Sequence, residues 1–314
     1  MSRKDLGFRI GTGLFGLALV LIVTAIGFEL IRQSWLSIVK FGLSFWRTET
    51  WDPVSGEFGA LPFIWGTLYS SILALLISTP IALGIAVFIS ELCPAWLRQP
   101  LVFLTELLAA IPSIVYGLWG IFVLVPFVRS LEMATPDVLR QLPIFSGPPL
   151  GVGMLSAALI LAIMVIPFSS SVAREVLRSV PMAQREGAYA LGATRFEAIT
   201  AALYYARTGI VGSIMLGFGR ALGETMAVTM VIGNNPKIST SLFAPQYTMA
   251  AVIANEFTEA ADELYLHALI EIGLVLFIIT LIVNALSRLL IWSMKPNLGK
   301  VTKAAPVAAE PATA

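Results

Sequence analysis

The chain has 314 residues, of which 57% are hydrophobic and 12% are charged, and its formal net charge is +1. Soluble domains carry roughly 25% charged residues, so this composition excludes an ordinary soluble enzyme, and the net charge gives no footing for a nucleic-acid or acidic partner. A single cysteine, Cys93, excludes an internal disulfide and a cysteine-based metal cluster, and the lone histidine, His267, has no neighbouring ligand in sequence.

Six apolar runs are long enough to cross a bilayer, at about residues 10–31, 63–90, 101–128, 152–172, 209–233 and 268–292. Arg3, Lys4 and Arg9 precede the first run, which lacks a small-residue cleavage pattern and reads as an uncleaved span with Glu29 near its outer end. Pro80 is expected to kink the second, and Pro112 and Pro126 interrupt the third. The chain is therefore expected to be an all-α membrane protein. Of its 20 Lys and Arg, thirteen fall on the side of the N-terminus and six on the other, with Arg220 inside the membrane; this asymmetry places both termini in the cytoplasm.

The outer connectors are residues 32–62, with Trp46 and Trp51 suited to the interface, residues 130–151, turn-rich with four prolines, and residues 234–266, able to form a helix in TMAAVIANEFTEAADEL. Residues 1–62 form a first span with its outer loop, 63–295 the main membrane unit, and 296–314 an Ala/Pro-rich tail of disordered composition in the cytoplasm. The longest inner loop, 173–208, contains REGAYALGATRFEAITAAL and is expected to carry a helix within about 181–207. Such a helix either lies on the membrane surface or docks into a groove of a cytoplasmic partner.

Residues 209–233, GIVGSIMLGFGRALGETMAVTMVIG, place Arg220 and Glu224 within an apolar run. If one helix begins near Gly209, Arg220 lies roughly 16 Å in, and the spacing of four stacks both charges on one face. A charge at that depth is unfavourable by about 3 kcal/mol or more, so it faces protein or water. Two readings are open: an ion pair that pins neighbouring helices, or a pathway that receives an anion. Gly219 and Gly223 make a small-xxx-small pair for close helix packing, within the chain or against a partner. Glu106 reads either as a second pathway group or as a carboxylate reaching headgroups or capping a helix.

Glu186-Gly187-Ala188 followed by Gly192 resembles the EAA loop of binding-protein-dependent ABC importer permeases, with Gly187 where the first alanine is usual. The later I-x-L-P of that pattern falls on Ala202, Tyr204 and Tyr205, so its proline is missing. GRALGETMAVTMVIGN (219–234) resembles the signature of the PstC family of phosphate-specific permeases, as do TELLAAIPSIVYGLWG (105–120) and TMAAVIANEFTEA (248–260). The resemblance spans about residues 61–292. It implies a six-span, MetI-like type I importer subunit in the bacterial inner membrane, paired with the homologous permease PstA. It further implies a PstB ATPase dimer engaging Glu186, Gly187, Ala188 and Gly192, and an extracytoplasmic phosphate-binding protein, PstS, on the outer loops. Arg220 and Glu224 fall on charged positions that the family implicates in phosphate translocation.

The chain has no G-x-x-x-x-G-K-[ST] loop, no G-x-S-x-G and no H-E-x-x-H. No cofactor is expected on it; ATP and Mg would sit on the partner ATPase. Three alternatives to ATP-driven phosphate import are a permease for another oxyanion, an ion-driven phosphate symporter, and a lipid-phosphate enzyme, the last lacking any visible nucleophile or metal cluster.

Overall fold

In chain order, the computed structural model comprises α1 (Arg3–Gln33), α2 (Trp35–Phe41), α3 (Leu61–Val87), α4 (Ala95–Ala110), α5 (Ser113–Trp119), α6 (Val125–Ala134) and α7 (Asp137–Arg140), then α8 (Met154–Arg178), α9 (Met182–Ala190), α10 (Arg195–Leu222), α11 (Met226–Val231), α12 (Met249–Glu256) and α13 (Glu263–Ser293). Residues 3–294 are described; the tail expected at 296–314 lies outside them. Among the described residues, six stretches are long and apolar enough to cross a membrane: Phe8–Gln33, Leu61–Leu92, Ser113–Ala134, Met154–Arg178, Arg195–Leu222 and Glu263–Ser293.

Two of these differ from the sequence expectation. The third crossing does not run through 101–128. It breaks at Ile111–Pro112, where Ile111 is extended (φ −63°, ψ 129°), and only the part after the break makes the crossing. The residue before a proline is pushed out of helical conformation, and Pro112 has no N–H to continue the ladder. The fifth does not run through 209–233 either. It starts at Arg195, behind a capping box in which the Thr194 side chain accepts from the Glu197 amide and the Glu197 carboxylate accepts from the Thr194 amide at 2.7 Å. It ends at Leu222. Within about 181–207, where a helix is expected, the chain forms α9, then a turn and the first turns of α10.

Helix α8 is the axis of the bundle. It packs against α3, α10 and α4, and is the most buried of the six crossing helices. Around it Tyr116, Val128, Ile160, Leu161, Val228 and Val231 form the central core. At one end, Phe45, Phe58, Phe63, Tyr247 and Tyr265 make an aromatic core; at the other, Ala86, Leu177, Ala202 and Ala206 close the contact of α3, α8 and α10. Trp51, expected at an exposed interface, is half-buried instead. Its ring lies 4.9 Å from both Phe58 and Phe63, and its Nε1 donates to Glu256 Oε2 at 2.8 Å, which ties the first connector to α12. Close approach also needs Gly66, where a Cβ would overlap the Tyr247 carbonyl. Cys93 is buried beside the end of α3, as a small apolar filler there would be.

Candidate functional site

Two interrupted helices cross beside Arg220. Helix α5 follows the break at Ile111–Pro112, and α11 follows a second break at 223–225. They meet at Gly117, where a Cβ would come within 2.6 Å of Met230 Sδ and 3.1 Å of the Ala227 Cα. Within a membrane protein, non-helical backbone persists only where protein or water satisfies its polar groups, and here two such breaks lie at the adjoining ends of crossing helices.

Arg220 sits in the last turn of α10, and its side chain is exposed on the isolated chain. Its Cζ lies 5.7 Å from the centre of the Phe168 ring on α8, and on α5 the Tyr116 hydroxyl donates to the Leu108 carbonyl at 2.9 Å, across the first break. Among the described residues no carboxylate lies within ion-pair distance of Arg220. Glu224 does not share a helix face with it. The helix has ended by then, and Glu224 Oε1 instead accepts the Ala227 amide at 3.4 Å, at the start of α11. The ion pair considered from the i, i+4 spacing is absent because Gly223 turns the chain one residue before Glu224.

The glycines of α10 divide by role. Gly209 and Gly217 face α8, against Val176 and Val165 respectively, and carry the packing within the chain. Gly219 meets nothing within 4 Å, and Gly223 meets only the Gly219 carbonyl. Their side of α10 is open to a second chain or to solvent, not to an intrachain helix.

Helix α9 leaves Glu186 and Gly187 exposed and Ala188 half-buried. Gly192 takes φ +83°, a left-handed conformation suited to glycine, and Ala193 N closes the helix end by donating to Ala188 O at 3.1 Å. Met182, Tyr189 and Leu191 project into solvent.

What holds α9 was not visible in the sequence. Arg185 reaches 94 residues back to Glu91 with two bonds, Nη2 to Oε1 at 2.7 Å and Nε to Oε2 at 3.3 Å. It also donates to the Leu177 carbonyl at 3.0 Å and the Val180 carbonyl at 2.9 Å. The two side chains are only 16% and 12% exposed. Glu91 belongs to a π turn, Phe88–Leu92, that ends α3, and its own carbonyl accepts from Arg195 at 2.7 Å. π turns recur where a helix is adapted to function. One acidic residue thus ties together the end of α3, α9 and the start of α10. Glu106, read from sequence as a second pathway group or a headgroup or capping carboxylate, lies on α4 and approaches Arg174 Nη2 at 3.5 Å.

A family model described as "Binding-protein-dependent transport system inner membrane component" matches residues 78–295. The Phosphate transport system permease protein PstC of Haemophilus influenzae is 48% identical over 299 residues, covering 93% of this chain and 95% of the relative. That of Mesorhizobium japonicum is 44% identical, covering 95% and 93%. Among solved structures, a chain of the MetNI methionine ABC transporter in inward-facing conformations superposes with a TM-score of 0.55 at 16% identity, covering 74% of this chain and 94% of that one, a likeness of fold alone. The six-span all-α architecture expected from the sequence is therefore that of MetI-like permeases. With the match covering most of the chain and full-length relatives well above a third identical, the protein belongs to the family of binding-protein-dependent transport system inner membrane components, among its PstC-type phosphate transport permeases.

Proposed function

We propose that this chain is the permease subunit of an ATP-driven importer of inorganic phosphate and supplies half of the translocation pathway. As a multi-pass inner-membrane transport component it is not itself an enzyme, and its family implies a binding protein, an ATPase and a further permease chain as partners. The finer assignment is a heterodimer with PstA, a PstB dimer on the cytoplasmic face and PstS outside, with ATP and Mg held by the ATPase. Both termini and α9 then face the cytoplasm, following the excess of basic residues on that side.

The observation that carries this reading is Arg220, a cation at a helix break beside α8 with no carboxylate within ion-pair distance among the described residues. Its planar fork of donors matches the oxygens of a tetrahedral anion. Glu224, four residues on, sets the negative edge of the passage and keeps the anion from being held too tightly to leave. Gly219 and Gly223 would accept the second permease on the open side of α10. Exposed on α9, Glu186, Gly187, Ala188 and the Gly192 turn would enter the ATPase groove.

Uptake of radiolabelled phosphate into proteoliposomes holding the four-component complex tests the assignment. Uptake is expected to require ATP and the binding protein, and to resist a large excess of sulfate or molybdate. Uptake by this chain alone under an ion gradient would instead identify a symporter, and equal competition by sulfate would identify a permease for another oxyanion.

A further inference from the structure

Away from Arg220, a polar cavity of about 320 Å³ opens between the π turn of α3, one side of α4 and the last turns of α8. Ser90, Arg98, Gln99, Glu106, Arg174 and Arg178 are among the residues that line it. It is unlike the apolar depression beside it, which Ile81, Ile85, Leu101 and Leu104 line.

We propose that this cavity is a second oxyanion site, for a phosphate-class anion, on the cytoplasmic side of the pathway. The proposal rests on the permease reading given above. Arg174 is the centre of it. It lines the cavity with a side chain only 8% exposed, and its Nε is a buried donor without a hydrogen-bond partner. Its Nη2 holds Glu175 at 3.1 Å and Glu106 only at 3.5 Å, and both of those carboxylates are more than half exposed. Glu175 is shared with Arg178 at 3.7 Å, so a tethered carboxylate already stands between two guanidinium groups, where an anion's oxygens would stand. Arg98 adds a third cation and donates only a long 3.5 Å bond to the Cys93 carbonyl. Three guanidinium groups against two carboxylates leave the cavity net positive.

Position supports the same assignment. Glu175 follows Phe168, the ring beneath Arg220, by seven residues on α8, which puts it on the same helix face about 10 Å closer to α9. An anion released from Arg220 toward the cytoplasm meets this cluster next. Conduction through a charged pathway needs more than one moderate site rather than a single tight one. The same chemistry would also take the phosphate of an anionic lipid headgroup at the inner leaflet, as basic pockets between membrane helices do.

The test uses the whole complex with Arg220→Gln, so that the first site is silent, and reads the thermal unfolding midpoint of this subunit. In neutral detergent, saturating inorganic phosphate is expected to raise the midpoint by about 2 °C, and adding Arg174→Gln is expected to abolish the rise. Because Arg174 is buried, the exposed pair Arg98→Gln and Arg178→Gln is measured in parallel and is expected to weaken apparent phosphate affinity at least several-fold without lowering the starting midpoint. A rise with phosphatidylglycerol over phosphatidylcholine nanodiscs, dependent on the same arginines but absent with free phosphate, assigns the anion to a lipid headgroup. If neither source produces a rise that depends on these arginines, the proposal is overturned, while the Arg220 reading is judged separately by uptake.

Discussion

Arg220→Gln is expected to lower ATP-driven phosphate uptake by about 100-fold or more while the complex still assembles. Hydrogen bonds to a charged group are each worth roughly 1.5–3 kcal/mol, so losing a two-pronged contact removes about 3 kcal/mol, which is about 100-fold in rate. Assembly should survive because the Arg220 side chain is exposed on this chain and supports no ion pair among the described residues. Arg220→Lys keeps the charge and loses the fork, so it should fall between, at about a tenfold loss. Glu224→Gln should act differently. Its carboxylate accepts the Ala227 amide at the start of α11, a bond the neutral amide can keep, so a change in apparent affinity is expected rather than loss of the protein. Normal uptake by Arg220→Gln removes the pathway assignment.

The second large effect is expected at Arg185 and Glu91, which join α9 to the end of α3. Breaking a buried pair by deleting one partner costs about 3–5 kcal/mol, and about 2–3 kcal/mol is reasonable for side chains that keep some solvent contact. Arg185→Ala leaves more than a carboxylate behind, since the Leu177 and Val180 carbonyls lose the same donor. The expected phenotype is uncoupling: ATP hydrolysis continues, uptake falls at least about tenfold, and the midpoint of this subunit drops. Glu91→Gln alone should be milder because the carbonyl bonds to Arg185 remain. Residues in direct contact do not act additively, so the double variant should be less impaired than the summed singles, by about 1–2 kcal/mol. Additive effects, or uptake and hydrolysis falling in parallel, would show that the pair stabilises the protein without transmitting movement.

How much of this was visible in the chain depends on whether a feature is local. Span number and rough position follow from runs of apolar residues, and the all-α architecture was legible for that reason. The breaks were not placed, since Pro112 read as an interruption within a single crossing and Gly223 as a packing residue within an apolar run. That misreading carried Glu224 onto a helix face it does not occupy. The true start of α10 had a local signal, Thr194 followed by Glu197, hidden within a segment read as loop. Gly219 and Gly223 drew attention by spacing, yet Gly209 and Gly217 make the contacts with α8, because orientation around a helix depends on neighbours the motif does not name. The Arg185–Glu91 clamp and the Arg174 cavity bring together residues 94 and 68 positions apart. No periodicity announces such a pairing.

The central claim, that the Arg220 position opens on water within an anion path, is met most directly by thiol accessibility. Cys93 is the only cysteine and is buried, so Cys93→Ser gives a background in which Arg220→Cys is the sole thiol of this subunit. In the assembled complex turning over ATP with its binding protein, a charged, membrane-impermeant methanethiosulfonate reagent is predicted to modify that thiol to completion. Modification by a lipid-soluble maleimide alone, with the charged reagent excluded throughout turnover, would contradict the account.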